Sequence, residues 1–472
     1  MESWLKSCGA KGLDDLKLAD FPGTGRGVKT LRSFKQGDTI LTIPSDVLWT
    51  VDHAYADPVL GPVLRSVQPP LSTEDILALY LLFVRSREGD WMYDGLQSHI
   101  AALPTSYSSS VFFDEEELEV CAGSSLYTVT KQLQQLLVDD YRALVVRVLG
   151  PHPQLFPLDK FTLDDYIWAL CTVWSRSMDF ALPEGKSIRL VAPFADMLNH
   201  SSEVKQCHVY DPKSGNLSIL AGKDYKAGDQ AFINYGPIPN NRLLRLYGFV
   251  IPGNPHDSYD LVLATHSPAP RFEEKQKLWP KAGLESTSTI ALTLTDPLPR
   301  SVLRYLRIQR LSEADLAAVK LQKANVADEQ ISKSNESEVL QFLVESLTGI
   351  LDGFGIQLER LEEQLAKDFY PVGSNSWAAA HVSLGEQRIL RLSRKRAQYL
   401  LTVVDSGKDG KAGAQSTASK ACAYCGQESS QLMVCGRCKS VAYCGRQCQV
   451  AHYKNGHKAV CKAPASGKTE VE

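Results

Sequence analysis

The sequence has no apolar run that approaches the roughly 20 residues a membrane-spanning helix needs. Its first residues have neither the apolar stretch of a signal peptide nor the Arg- and Ser-rich composition of a transit peptide. The chain also lacks a charge excess, because the net charge is −3 at pH 7, which gives no overall attraction to nucleic acid or anionic lipid. We therefore expect a protein of the cytoplasm and/or nucleus, and we do not expect a membrane or nucleic-acid partner.

Cysteine is missing from the long stretch between Cys207 and Cys422, although the chain contains 11 cysteines. The four in the first half are scattered, and we expect them to be small buried apolar residues. The other seven lie between Cys422 and Cys461. Close spacing in a reducing compartment indicates metal binding rather than disulfide bonds.

The length and composition are those of a multidomain soluble protein. A chain of 472 residues is too long for one compact core, so two to four domains are expected. Apolar residues make up 44% and charged residues 22%, which is ordinary for globular proteins.

The C-terminal cysteines and histidines are spaced like ligands of two tetrahedral zinc ions. The ligands are Cys422, Cys425, Cys435, Cys438, Cys444, Cys448, His457 and Cys461. The last two pairs are each at i, i+4, so each pair faces one way on a helix. His452 is an alternative ligand, since it stands four positions after Cys448. With four ligands for each ion, both zinc ions are predicted to be structural and to supply the folding energy of this small module.

The first 250 residues alternate between strand and helix patterns. A glycine-rich turn precedes short strands over about 20–50, where glycine lets the backbone approach a ligand. Residues from about 72 to 186 form a helical insert, with capping residues at Ser72 and Thr162. Short strands return over 187–250, including a hairpin from Val209 to Leu220.

After residue 255 the strand signals fade. Periodic helices indicate a separate helical domain over 255–402. Residues 403–420 have no apolar face and should be a flexible linker. We expect a zinc module over 421–461 and a disordered tail over 462–472.

Polar and aromatic residues concentrate between Pro193 and Val250. Asp196, Asn199 and His200 fall within five positions and can bind a polar cofactor. Tyr235 and Tyr247 stand on short apolar segments and can wall a narrow channel. Each signal is weak alone, because an Asn-His pair is usually a turn and a strand tyrosine usually belongs to a core.

The order of these motifs resembles a SET-domain methyltransferase of the Rubisco large-subunit methyltransferase branch. The motifs are Gly25-Arg26-Gly27, Ser175-Arg176, Asp196-x2-Asn199-His200-Ser201, Asn234-Tyr235-Gly236 and Tyr247-Gly248-Phe249. The resemblance implies an α+β fold: a SET β-fold with a helical insert over 1–254, then an all-α domain that docks a protein substrate. No post-SET cysteine cluster follows His200, so helices must close the channel.

The resemblance also implies the roles of the site residues. S-adenosylmethionine would contact the backbone at Thr24, Gly25 and Arg26. Further cofactor contacts would come from Asn199, His200 and Tyr235, in a pocket shaped by Arg176 and Asp196. Tyr235 would orient the methyl group and the incoming nitrogen, and Tyr247 would wall the channel.

The zinc module resembles a MYND finger, which implies interleaved sites. One ion would bind Cys422, Cys425, Cys444 and Cys448, and the other Cys435, Cys438, His457 and Cys461. His457 matches the terminal H-x3-C of the family. MYND fingers mostly bind proline-containing peptides, so such a peptide is an expected partner.

The resulting expectation is a protein-lysine N-methyltransferase with an appended interaction finger. Histidine methylation, performed by a sister branch, is the enzymatic alternative, and Met178 near Arg176 suggests an apolar wall that slightly favours lysine. An inactive SET scaffold is the alternative from another class. The proton of the lysine could leave through water or through Tyr235.

Overall fold

The computed structural model describes residues 1–267, 269–320, 326–406, 422–423, 431–439, 441–453, 457 and 461. Most of the expected linker, the ligand Cys425 and the expected tail lie outside the described residues. Within those ranges, no helix is both long and apolar enough to cross a membrane.

The elements alternate along the chain. The strands are β1 Leu16–Phe21, β2 Gly25–Thr30, β3 Thr39–Ile43, β4 Trp49–Thr50, β5 Ser177–Ala181, β6 Ser187–Val191, β7 Asn199–His200, β8 His208–Tyr210, β9 Leu217–Leu220, β10 Gln230–Ile233, β11 Ser258–Ala264, β12 Thr287–Thr293, β13 Met433–Val434 and β14 Ala442–Tyr443. The helices are α1 Glu2–Ser7, α2 Val51–Ala56, α3 Leu60–Ser66, α4 Thr73–Arg85, α5 Asp94–Ile100, α6 Glu115–Glu119, α7 Ser125–Leu144, α8 Leu163–Arg176, α9 Asn240–Tyr247, α10 Phe272–Gln276, α11 Arg300–Gln309, α12 Glu313–Lys320, α13 Lys333–Asp352, α14 Leu358–Ala366, α15 Asn375–Asp405 and α16 Arg446–His452.

The chain divides into two compact units. The first comprises Met1–Phe112, Lys131–Ile238 and Arg242–Gly248, and the second comprises Phe113–Thr130, Pro239–Asn241 and Phe249–Glu472. The first unit contains three small sheets, ordered β1-β2-β10-β7, β3-β9-β8 and β4-β6-β5. Only the β10–β7 pair among these is parallel. The hairpin expected between Val209 and Leu220 is confirmed as β8 and β9.

The helical insert of the first unit begins where the capping residues predict. The Ser72 hydroxyl accepts the Asp75 amide at the start of α4, and Thr162 forms a capping box with Asp165 at the start of α8. Helix α4 packs against α8, and the Tyr166 hydroxyl donates to Asp75 Oδ1 over 2.7 Å. Large buried aromatic side chains fill this core, namely Trp49, Phe83, Phe156, Phe161 and Tyr166.

The second unit has the helices expected after residue 255, and it also has two strands that sequence reasoning missed. Strands β11 and β12 form an antiparallel pair, and the segment that connects them contains α10. Leu261 and Leu263 alternate with exposed residues along β11, so only two large side chains mark its buried face. Such a short alternation is too weak a signal to distinguish from a loop. The core of this unit is built on Trp279, whose indole stacks on Tyr305 at 5.3 Å.

Candidate active site

The glycine-rich turn is held by Asn199. The Asn199 side-chain amide donates to the Thr24 carbonyl oxygen at 3.2 Å and to the Arg26 carbonyl oxygen at 3.0 Å. The Thr24 hydroxyl in turn donates to Gln230 Oε1 at 2.9 Å. These bonds join β2, β7 and β10, so the turn is fixed from both of its ends.

One position of this turn requires glycine, and a second is closely packed by two side chains. Gly25 has a φ of 64°, which side chains rarely adopt. A Cβ on Gly27 would lie 2.3 Å from Gln230 Nε2 and 2.9 Å from Asn199 Nδ2. The Arg26 guanidinium donates to the Ala102 carbonyl oxygen at 2.5 Å, and therefore ties the turn to the segment after α5.

The backbone is strained just before Asp196. Phe194 is fully buried and has a φ of 69°, a conformation that costs a bulky residue about 1–3 kcal/mol. A single 3₁₀ turn follows over Ala195–Met197. This turn directs the Asp196 side chain inward and leaves the Leu198 carbonyl available as an acceptor.

Asp196 is a buried carboxylate with two donors on the same oxygen. Its Oδ2 accepts from His99 Nε2 at 3.1 Å and from Arg176 Nη1 at 3.2 Å. Arg176 Nη1 also donates to the Asp196 carbonyl oxygen at 2.9 Å. Burial alone would raise the pKa of Asp196, but the neighbouring His99 and Arg176 outweigh it and hold the pKa below its usual value. Sequence reasoning predicted Asp196 and Arg176 together but missed His99.

Tyr235 lies between His200 and Tyr247. Its amide donates to His200 Nδ1 at 3.0 Å, and its hydroxyl donates to the Leu198 carbonyl oxygen at 3.0 Å. The rings of Tyr235 and Tyr247 stack with centroids 4.9 Å apart and an interplanar angle of 27°. Burial raises the pKa of both hydroxyls above the ordinary tyrosine value, so both stay protonated at neutral pH.

A cavity of about 210 Å³ lies beside these residues. It is lined by Ser175, Arg176, Ser177, Met178, Asp179, Asp196, Leu198, Gln206, His208, Ile233, Tyr235 and Tyr247. The predicted residues Arg176, Asp196, Tyr235 and Tyr247 are thus brought together. The other predicted cofactor residues are outside this lining and join the site through the hydrogen bonds of Asn199 and His200.

Three of the polar lining side chains that were not foreseen are Asp179, Gln206 and His208. Asp179 is held by a bidentate pair with Arg189, at 2.8 Å and 3.0 Å. Gln206 precedes β8, and His208 opens it. Burial lowers the pKa of His208, so its ring is neutral at pH 7 and can accept a hydrogen bond. None of the three belongs to a motif with a recognisable spacing, so only the folded chain places them here.

The arrangement fits a charged, polar cofactor. Asp196 Oδ1 and Arg176 Nε are buried and find no hydrogen-bond partner among the described residues. Unpaired buried polar atoms are costly, and a ligand with donors and acceptors would satisfy them.

The C-terminal module brings its ligands into two groups. Cys435, Cys438, His457 and Cys461 are all buried, and their ligand atoms lie within 4.8 Å of one another. His457 Nε2 is 3.3 Å from Cys435 Sγ and 3.4 Å from Cys438 Sγ. Three thiols and one imidazole at this spacing form the donor set of a structural zinc site.

The second group contains Cys422, Cys444 and Cys448. The sulfur atoms of Cys444 and Cys448 are 3.5 Å apart. The fourth expected ligand, Cys425, lies outside the described residues. His457 lies in one of these groups, the side chain of His452 is outside the described part of the chain, and the two groups interleave along the sequence.

Three family models match the chain in succession. A SET domain matches residues 25–236, a Rubisco LSMT substrate-binding domain matches 266–390, and a MYND finger matches 422–461. The MYND match covers both ligand groups, so the module is a zinc-binding MYND finger.

Similar proteins match over most of the chain. The Rubisco large subunit N-methyltransferase of Pisum sativum is 28% identical over 375 residues, covering 76% of this chain and 74% of that protein. The actin-histidine N-methyltransferase of Otolemur garnettii is 25% identical over 407 residues, covering 84% of this chain and 67% of that protein. A crystal structure of the LSMT SET domain bound to methyllysine and AdoHcy superposes with a TM-score of 0.73 at 25% identity, covering 88% of this chain and 96% of that one.

Proposed function

We propose that this chain, which belongs to the SET-domain methyltransferases of the Rubisco LSMT type and carries a MYND finger, methylates a lysine side chain of a protein. The observation that carries the choice of lysine is the wall formed by Tyr235, Tyr247 and Met178 along one cavity. A lysine stem of four methylene groups packs well on such aromatic and thioether surfaces, and its cationic end is attracted to the faces of tyrosine rings.

S-adenosylmethionine would supply, when bound, the methyl group of its sulfonium: an uncharged amine nitrogen would form the new C–N bond while the C–S bond breaks and S-adenosylhomocysteine leaves with the electron pair. Asn199 would hold the glycine-rich turn against the cofactor, and Arg176 and Asp196 would supply a donor and an acceptor from their unpaired atoms. These groups are fixed before the cofactor arrives, so little orientational entropy is lost on binding.

Tyr235 would orient the target nitrogen rather than deprotonate it. Its hydroxyl hydrogen is committed to the Leu198 carbonyl, and burial keeps the phenol protonated. The oxygen still has lone pairs, which can accept a hydrogen bond from the amine N–H and turn the nitrogen lone pair toward the methyl group. Desolvation of the lysine ammonium in the cavity lowers its pKa, and water can take the released proton.

Histidine methylation is the second candidate. Gln206 and His208 give the cavity wall two side chains that can hydrogen-bond an imidazole. Actin-histidine N-methyltransferases are also among the similar proteins. The lysine and histidine proposals differ in which residue carries the new methyl group.

The test is methyl transfer from tritiated S-adenosylmethionine into a cell extract, followed by mass spectrometry of the labelled peptides. We expect label on lysine with the wild-type protein and very little with Tyr235→Phe. Label on histidine would replace the lysine assignment by the second candidate. Absence of any label, with cofactor binding retained, would contradict both.

We propose that the two C-terminal parts bring proteins to this site. The substrate-binding match over 266–390 supports docking of a protein substrate there. On the MYND finger, Met433 and Val434 of β13 are 45% and 48% exposed, and this apolar strip suits a proline-containing peptide. Val434→Asp should abolish binding of such a peptide to the full chain, and unchanged affinity would contradict the assignment.

A further inference from the structure

A chain of buried hydrogen bonds leads from Trp49 to the cavity. The Trp49 indole N–H donates to His99 Nδ1 at 2.9 Å, and His99 Nε2 lies 3.1 Å from Asp196 Oδ2. Asp196 continues the chain to Arg176, which lines the cavity beside Tyr235. The four residues come from β4, α5, the 3₁₀ turn and the end of α8.

The geometry fixes the tautomer of His99. An indole N–H can only donate, so His99 Nδ1 must be an acceptor. The ring hydrogen is therefore on Nε2, from which it is donated to the Asp196 carboxylate. The side chains of His99 and Asp196 are both 0% exposed, so no bulk water competes for these bonds.

Packing alone does not require a histidine here. An apolar side chain on α5 would fill the same space and would need no partners. Instead, both ring nitrogens form hydrogen bonds: Nδ1 accepts from Trp49 on β4, and Nε2 donates to the Asp196 carboxylate beside the cavity. Two residues beyond α5, the Ala102 carbonyl accepts from Arg26, so the same segment contacts the site at two points.

We infer that His99 is a positioning residue of the methyl-transfer site, which holds the Asp196 carboxylate and through it the Arg176 guanidinium. The inference rests on the proposed function for its kinetic consequences, but its structural consequences for cofactor binding do not depend on methyl transfer.

The consequence of losing His99 follows from the surroundings of Asp196. The titratable and charged groups that interact most strongly with it are His99 and Arg176, and Tyr107 and Tyr235 interact with it more weakly. Without the His99 N–H, only Arg176 remains close enough to oppose the effect of burial, so the pKa of Asp196 rises. A protonated Asp196 no longer forms an ion pair with Arg176, so the guanidinium keeps its bond to the Asp196 carbonyl oxygen but is held less firmly beside Tyr235.

The experiment compares three variants with a matched control in the full chain. His99→Leu removes both hydrogen bonds, whereas His99→Gln keeps a donor for Asp196 and an acceptor for Trp49. Trp49→Phe removes only the donor that fixes the tautomer. Leu81→Ala is the control, because it weakens the same buried core from α4 without touching the hydrogen-bond chain.

Two quantities are measured between pH 5 and 9: the affinity for S-adenosylmethionine by calorimetry and kcat/KM for methyl transfer. For His99→Leu we expect kcat/KM at pH 7 to fall by about 10- to 100-fold, as positioning errors near 1 Å cost this much. We also expect the acidic limb of both profiles to move to higher pH. His99→Gln should stay within about threefold of the wild type, Trp49→Phe should fall between them, and Leu81→Ala should keep the wild-type limb.

The outcomes distinguish the positioning role of His99 from the proposed methyl-transfer function. The positioning role is wrong if the acidic limb of the His99→Leu pH profile coincides with that of the wild type. It is also wrong if His99→Gln lowers kcat/KM as much as His99→Leu does. If His99→Leu does not fold, the pH of the acidic limb is compared between Trp49→Phe and His99→Gln instead. A limb at higher pH for Trp49→Phe supports the positioning role, and equal limbs contradict it. If the wild type binds cofactor but transfers no methyl group, the proposed function fails, while the binding profiles still decide the role of His99.

Discussion

Neutralising one buried carboxyl of the second unit, Glu386, should stabilise the protein above neutral pH. Glu386 is 3% exposed and accepts from the Ser125 amide at 2.8 Å and from the Ser125 hydroxyl. The Asn241 side chain contributes a longer bond of 3.5 Å. No cation pairs with Glu386 among the described residues, and Asp257 repels it. Burial therefore raises its pKa from 4.5 to about 7.

The sign of the effect follows from proton binding. Between about pH 4.5 and 7 the folded chain keeps this proton while the unfolded chain has lost it, so stability falls as the pH rises. Above both pKa values, the difference between 4.5 and about 7 costs the folded state about 3 kcal/mol. Asp257, whose pKa burial also raises to about 7, adds to the same fall.

The assay is thermal unfolding of the full chain followed by fluorescence from pH 5 to 8.5. Glu386→Gln removes the charge but keeps an acceptor for Ser125. We expect it to stay within about 1 kcal/mol of the wild type at pH 5 and to exceed it at pH 8 by about 2–3 kcal/mol, or roughly 4–12 °C in Tm. The control is Glu359→Gln on α14, since the pKa of Glu359 is lowered to about 2 by its pairing with Arg391 and it stays charged throughout this range.

A wild-type Tm that is flat or rises between pH 5.5 and 8 would show that no buried carboxyl loses its proton at a cost to the folded state. The role of Glu386 would also be refuted if Glu386→Gln kept the full wild-type slope, because the carboxyl would then not be the source of the fall.

Three further predictions concern the site and the finger. Tyr235→Phe should lower kcat by about 100-fold, with cofactor affinity unchanged within a few fold, because one positioned hydroxyl is lost at the reacting nitrogen; equal losses in kcat and in cofactor affinity would contradict this role. Asn199→Ala removes the two bonds that hold the glycine-rich turn, so calorimetry should show about tenfold weaker cofactor binding. Cys435→Ser should reduce the zinc content measured by atomic emission from two ions per chain to about one, and a content that stays at two would exclude Cys435 as a ligand.

Features with fixed residue spacing could be predicted from the sequence. The ligand groups of the finger and the helices capped at Ser72 and Thr162 depend on residues close together in sequence, where chain geometry restricts the outcome. The motif order that resembles SET enzymes also led to the cluster of Arg176, Asp196 and Tyr235.

The features that could not be predicted from the sequence depend on contacts between distant segments. His99 stands on α5 in no motif, and only folding brings it 3.1 Å from a carboxylate 97 positions later. His208 and Gln206 belong to a stretch without a distinctive pattern. The β11–β12 pair was missed because its buried face has few large side chains.

The central claim is that the Tyr235 cavity transfers a methyl group to lysine, and mass spectrometry of the methylated product tests it most directly. Wild-type protein incubated with cell extract and labelled S-adenosylmethionine should place the label on the lysine nitrogen of a protein. The same reaction with Tyr235→Phe should lose most of that label. Label on histidine, or label on lysine that is undiminished by Tyr235→Phe, would contradict the account.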